Sequence, residues 1–224
     1  MLYYHGTHRT RGSKILKNKK MEYSRGDTEW LGDGIYLYKF KIYAYRWITI
    51  QYTSHYTNEL KNIKEKLYER YMILGVDVNI VPERVFSFIN PMHKLEFDCV
   101  KEQCEKRKES FPQLQRYKYI DGAILNIMFK KMDYAERFDM VEAVYILEKS
   151  NQNNIRQNTF QENQLCVKNP DMITQITDVT NEFPIDEFQN KLVEFNSART
   201  KYKNSNHTYK KRRNNYGTKF KRKV

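Results

Sequence analysis

Apolar positions along the 224 residues fall into short runs divided by charged or polar stretches, and their spacing switches between a period near two and one near 3.6. Residues 2–5 read as a strand, and a helix follows near 13–20. Residues 35–38, Ile-Tyr-Leu-Tyr, are entered through Gly32-Asp33-Gly34 and read as a second strand with Tyr36 and Tyr38 on one face. An aromatic-rich helix is predicted over 42–51. Residues 58–74 carry Leu60, Ile63, Leu67 and Tyr71 at helical spacing, a stripe expected to face the core. Residues 76–80 and 85–88 read as strands flanking Pro82, and 92–110 as a helix with a mixed-charge solvent face. Further strands are predicted at 119–125, 141–147 and 164–167, with an Asn/Gln-rich loop at 151–158. A final amphipathic helix is predicted at 183–197, with Ile185, Phe188, Leu192 and Phe195 on one stripe. Short strands separated irregularly by helices predict an α+β fold rather than a doubly wound one.

The chemistry concentrates near the N-terminus. His5 ends the first strand and is followed at once by Gly6, so a ligand can lie against bare backbone while the imidazole offers one directed hydrogen bond. Thr7 adds a hydroxyl beside it. Trp47 follows Tyr36 by eleven residues, a placement that lets two rings close on a flat heteroaromatic group from opposite sides. Taken singly, each of these has an ordinary reading: strand histidines and tyrosine runs usually pack, and a Gly-x-Gly turn is common.

Together, the His-Gly-Thr element, the Gly-Asp-Gly-Ile-Tyr element and the later aromatic resemble the first two motifs of the ADP-ribosyltransferases of the diphtheria-toxin and poly(ADP-ribose)-polymerase branch, the His-Tyr-Glu group. The resemblance covers the first fifty or so residues and, less closely, a third motif at 160–169. It implies a split mixed or antiparallel sheet with flanking helices, NAD as the ADP-ribose donor, and no metal. It implies that His5 bonds a ribose hydroxyl, that the Gly6 backbone holds the nicotinamide amide, and that Tyr36 stacks on nicotinamide. Trp47 stands where a second stacking aromatic is usual, and Thr7 and Gly34 complete the implied cofactor-binding set. The family's glutamate position falls on Gln164. Glutamine can bond a ribose hydroxyl, but it cannot stabilise positive charge at the anomeric carbon as nicotinamide leaves. Glu162, two residues away on the same strand face, is the alternative carboxylate, so the implied catalytic set is His5, Tyr36, Gln164 and Glu162. The missing carboxylate argues against polymer synthesis and leaves mono-transfer, glycohydrolysis or a silent binding site open. Small members of the family imply a toxin or anti-phage role, with a macromolecular acceptor and a neutralising antitoxin as partners.

Charge sharpens this picture. The net charge is +13, yet residues 199–224 hold eleven Lys/Arg and no Asp/Glu, while residues 1–198 hold 29 against 27. The expected organisation is therefore a transferase-like domain at 1–198 and a basic, disordered tail at 199–224. In that tail Lys210, Lys211, Arg212 and Arg213 lie among Tyr209, Tyr216 and Phe220, so nucleic acid is a candidate partner: cations neutralise phosphates and rings stack on bases. A solvated tail that aids solubility or docks an acidic protein is the equal alternative. No apolar run approaches a membrane span, and Cys99, Cys104 and Cys166 lack disulfide or metal spacing, so no membrane partner and a cytoplasmic location are expected. His5 and His8 have no further Cys/His cluster to complete a metal site. The resulting expectation is an NAD-dependent mono-ADP-ribosyltransferase acting on a macromolecule, nucleic acid ahead of protein. The alternatives are a silent NAD-binding module and a nucleic-acid-binding module.

Overall fold

Tyr71 to Val76 are all buried, and a strand covered on both faces has no need of apolar-polar alternation. In the computed structural model this run begins a strand at Tyr71, so the helix expected over 58–74 ends at Arg70 and Tyr71 belongs to the sheet. The structure describes residues 1–55, 63–107, 110, 114, 120–146 and 161–182, all within the unit Met1–Phe183.

Seven strands form one mixed sheet: β1 (Leu2–His8), β2 (Ile35–Tyr38), β3 (Tyr71–Val78), β4 (Val85–Ser87), β5 (Met140–Ile146), β6 (Gln161–Val167) and β7 (Ile173–Asp178). Their order is β4-β5-β6-β2-β1-β3-β7; β4 and β5 run parallel and the other neighbours antiparallel. Among the described residues the α-helices are α1 (Arg9–Asn18), α2 (Lys41–His55), α3 (Ile63–Arg70), α4 (Pro91–Lys106), α5 (Ile120–Lys131) and α6 (Tyr134–Arg137). The α+β class is as expected. Residues 120–125, expected as strand, are helical, and every residue from Gly122 to Met128 is buried, which erases the amphipathic period that would have marked a helix.

One face of the sheet carries Tyr3, Ile35, Leu37, Met72, Leu74, Leu165 and Val167, packed with Ile15 of α1. The other carries Ala143 and Cys166 in a cluster with Phe97 and Val100 of α4, Ile124 and Met128 of α5, and Tyr134 of α6, with Tyr36 packed against it. Local signals hold the ends of these elements. Asn90 caps α4 by accepting from Met92 N–H at 2.9 Å, ahead of Pro91 in the first turn. Arg9 Nε donates to the Tyr68 carbonyl at 2.7 Å near the end of α3, where a cation suits the unpaired carbonyls. Among the described residues, no helix is long and apolar enough to cross a membrane. The loop expected at 151–158, the helix at 183–197 and the tail at 199–224, with Lys210, Lys211, Arg212 and Arg213, lie outside the described residues.

Candidate active site

β1 and β2 are sheet neighbours, yet they pair at one rung only, Tyr4 with Tyr38, whereas β1 pairs with β3 all the way from Leu2 to His8. Beyond that rung the sheet opens. The direction of the peptide groups on either side follows from strand alternation. Lys39 N–H donates to Asn163 O at 3.2 Å, so Lys39 faces β6 and Tyr38 and Tyr36 face β1. Val78 N–H donates to Met1 O at 2.9 Å, so Met1, Tyr3 and His5 face β3, while Tyr4 and Gly6 face β2. Gly6 and Tyr36 therefore address one another across the opening.

His5 bridges it, donating from Nδ1 to the Tyr36 carbonyl at 2.8 Å. A carbonyl can only accept, so the proton sits on Nδ1 and Nε2 of the neutral ring is an acceptor. Burial lowers the imidazole pKa from its ordinary value; the bond to Tyr36 opposes this and the charge of Arg11 adds to it. The ring is therefore neutral near pH 7.

The Tyr36 hydroxyl donates to Gly32 O at 2.7 Å and accepts from Leu31 N–H at 2.8 Å, so the turn preceding β2 wraps around the phenol. Burial, aided by Cys166 and Glu29, pushes its pKa far up, and it stays protonated. The turn is also held from outside. Asn126 of α5 accepts from Asp33 N–H at 2.7 Å, Lys130 pairs with the Asp33 carboxylate at 2.5 Å, and Lys168 Nζ donates to Leu31 O and Asp33 O, each at 2.6 Å. Gly32 has φ +71°, and a Cβ there would lie 2.7 Å from Asn126 Oδ1. A Cβ on Gly34 would run into Cys166 Sγ and sit 2.9 Å from Val167 O. Gly34 is thus required by packing against β6, and its bare side is turned away from the opening.

Gly6 is likewise required by packing. Its bare side faces α2, where a Cβ would lie 2.7 Å from Ala44 O, 2.8 Å from Ile48 Cγ2 and 3.2 Å from Trp47 Cε3. What Gly6 offers the opening is its peptide group, and Trp47 covers it from the α2 side. By alternation Gly6, Tyr36 and Tyr38 share that side of the sheet. His5 and Thr7 lie on the other; the His5 ring reaches the Tyr36 carbonyl at the opening, whereas Thr7 is 2 % exposed with its methyl against Gly12 of α1, so its hydroxyl does not belong with the Tyr36 and Trp47 rings.

β6 supplies the third wall. Gln164 stands opposite Tyr38 and Cys166 opposite Tyr36. Glu162 and Gln164 are buried on the same face, and the Gln164 amide donates to Glu162 Oε1. This assigns the NH2 to the carboxylate and leaves Oε1 of Gln164 as an acceptor. Arg46 of α2 pairs with Glu162 Oε2 at 2.8 Å. Burial raises the pKa of Tyr38 and Tyr43, and the Glu162 charge raises both further. His5, Gly6, Tyr36, Trp47, Glu162 and Gln164 are thus assembled around one opening in the sheet.

Three residues of this assembly were not anticipated from sequence: Arg46, Asn126 and Lys168. Asn126 had a visible signal, as a lone amide inside the apolar run Ala123-Ile124-Leu125-Asn126-Ile127-Met128. His8 lies tilted against Tyr71 with ring centres 4.3 Å apart, and among the described residues no group of three His, Cys, Asp or Glu could hold a metal ion.

Fold and site define an α+β domain whose seven-stranded mixed sheet is parted beside a buried glutamate-arginine pair. The chain belongs to one family with an uncharacterized protein of Methanocaldococcus jannaschii, to which it is 30% identical over 204 residues, spanning 84% of this chain and 91% of that protein. No protein-family model matches the chain, and no solved structure matches it.

Proposed function

We propose that this protein is an NAD-dependent mono-ADP-ribosyltransferase with an ADP-ribosyltransferase-type split sheet, acting on an intracellular macromolecule. The observation that carries the reading is the opening between β1 and β2, bridged by His5 and flanked by Tyr36, Trp47 and Gln164. His5 Nε2 would accept from a ribose hydroxyl, and the Gly6 peptide would hold the nicotinamide amide. Tyr36 and Trp47 would bracket the nicotinamide ring. The Gln164 carbonyl would accept from the second ribose. NAD supplies the reactive carbon: its bond to nicotinamide breaks, and an oxygen or nitrogen of the acceptor bonds to that carbon and loses its proton. The protein contributes orientation and electrostatics. Glu162 is already opposed by Arg46, so its field at the reacting carbon is weak, which suits a single slow transfer.

That same ion pair supports a second reading, in which NAD binds without turnover. Nicotinamide release by the full chain separates the two, with His5→Ala and Tyr36→Ala as controls and labelled NAD in cell lysate to reveal the acceptor. Release that depends on both residues, with label on a macromolecule, is the expected result. NAD binding without release or label would leave a binding module and end the transferase reading.

A further inference from the structure

The basic character of the chain does not lie only in its tail. Residues 9–25 hold seven Lys/Arg and one acidic residue, Glu22. Removing them from residues 1–198 leaves 22 Lys/Arg against 26 Asp/Glu, so an otherwise acidic domain carries one strongly cationic segment. That segment is α1 and the turn after it. Gly12 and Ile15 face the core, while Arg11, Lys14 and Lys17 recur every third residue on the exposed side, followed by exposed Lys19 and Lys20. Within the segment Lys14 pairs with Glu22 at 3.0 Å, a solvent-exposed contact that holds neither charge firmly.

The location matters as much as the charge. α1 starts directly after β1, three residues beyond Gly6, and Arg11 lies near enough for its charge to act on the His5 imidazole. At 1.5 Å per residue, Arg11 to Lys17 spans about 9 Å of helix axis. Along the axis of a B-form duplex the phosphates of one strand rise about 3.4 Å apiece, so three cations over that length can face a run of two to three phosphates. A row of cations at such a pitch, without an acidic residue in the first turn of α1, suits a regular polyanion better than the irregular acids of a protein surface.

We propose that α1 and its following turn, through Arg11, Lys14, Lys17 and Lys20, form a docking face for the phosphate backbone of a nucleic acid, beside the His5–Tyr36 opening. Docking itself is independent of NAD chemistry; the further idea that it presents the acceptor rests on the transferase reading above.

The test uses the full chain, a fluorescein-labelled single-stranded RNA of about 20 nucleotides, anisotropy across a salt series, and no NAD. Arg11→Gln/Lys17→Gln/Lys20→Gln is compared with wild type. The same triple change is also made in a background carrying Lys210→Gln, Lys211→Gln, Arg212→Gln and Arg213→Gln, which removes the tail's share. These are exposed positions, so thermal melts should stay close to their parents. Losing three phosphate contacts should flatten the log-log salt slope by about 2 and weaken binding at least ~10-fold near physiological salt, in both backgrounds. Unchanged slope and affinity would overturn the docking face, as would displacement of the RNA by polyglutamate at equal charge. RNA binding through α1 in a protein that releases no nicotinamide would sink the transferase reading alone, and nicotinamide release with no α1 dependence of binding would sink the docking face alone.

Discussion

Replacing Arg46 by methionine probes the buried floor of the opening. The Arg46 and Glu162 side chains are 11% and 4% exposed and meet at 2.8 Å. Removing one partner of such a pair leaves a charge in a poorly solvated place and typically costs about 3–5 kcal/mol. The Gln164 amide still donates to Glu162, and methionine fills much of the space of the arginine stem, so the loss should fall near the lower end, about 3 kcal/mol. For a domain of this size that corresponds to a melting shift of about 6–12 °C. The sign of the pH dependence is a second check. A buried carboxylate that loses a counter-charge shifts toward the protonated form, so the folded variant would take up a proton more readily than the folded wild type. Its deficit relative to wild type should therefore shrink as pH falls from about 7 to about 5. Urea denaturation at both pH values measures this, and Arg46→Met/Glu162→Gln should recover about 2 kcal/mol by removing the stranded charge. A single variant within about 0.5 kcal/mol of wild type would refute the reasoning, and so would a double variant no more stable than the single.

His5 is partly buried and neutral, with its pKa lowered from 6.5, so under that pH the unfolded chain binds a proton that the folded chain does not, and stability falls. His5→Asn keeps an N–H for the Tyr36 carbonyl and should flatten the dependence of the urea midpoint on pH below 6.5; an unchanged slope would show that His5 is not its source. Gly34→Ala should cost more than about 2 kcal/mol, because the new methyl meets Cys166 and a carbonyl of the sheet. Adding Cys166→Ala should not restore the melting temperature, since Val167 O remains 2.9 Å away; full recovery would place the clash in the thiol alone.

What could be read from sequence was what acts over short range. Period-two alternation in Ile35 to Tyr38 placed Tyr36 and Tyr38 on one face, and the same rule put Glu162 beside Gln164, as the structure has them. The roles of Arg46, Asn126 and Lys168 could not be assigned because each works through a partner 93 or more residues away, although the lone amide of Asn126 stood out in its apolar run. The errors in secondary structure have the same origin. Tyr71 and Leu74 continue a helical stripe on paper but are claimed by the sheet, while 120–125 is an apolar run whose burial on all sides is set by distant elements. β7 was missed because Ile173-Thr174-Gln175-Ile176-Thr177-Asp178 is a largely exposed edge strand with only two apolar positions.

The lone rung between Tyr4 and Tyr38 divides the strands into β1-β3-β7 and β4-β5-β6-β2, and these groups are interleaved along the chain. The polypeptide passes from one group to the other four times, the last time between β6 and β7. Neither wall of the opening is a contiguous piece of sequence. No N-terminal fragment carrying His5 and Tyr36 contains a finished wall on both sides, and a ribosome must release residues beyond Asp178 before the sheet can close. Such long-range pairing makes assembly slow for its size, and it ties the appearance of the site to completion of the whole domain.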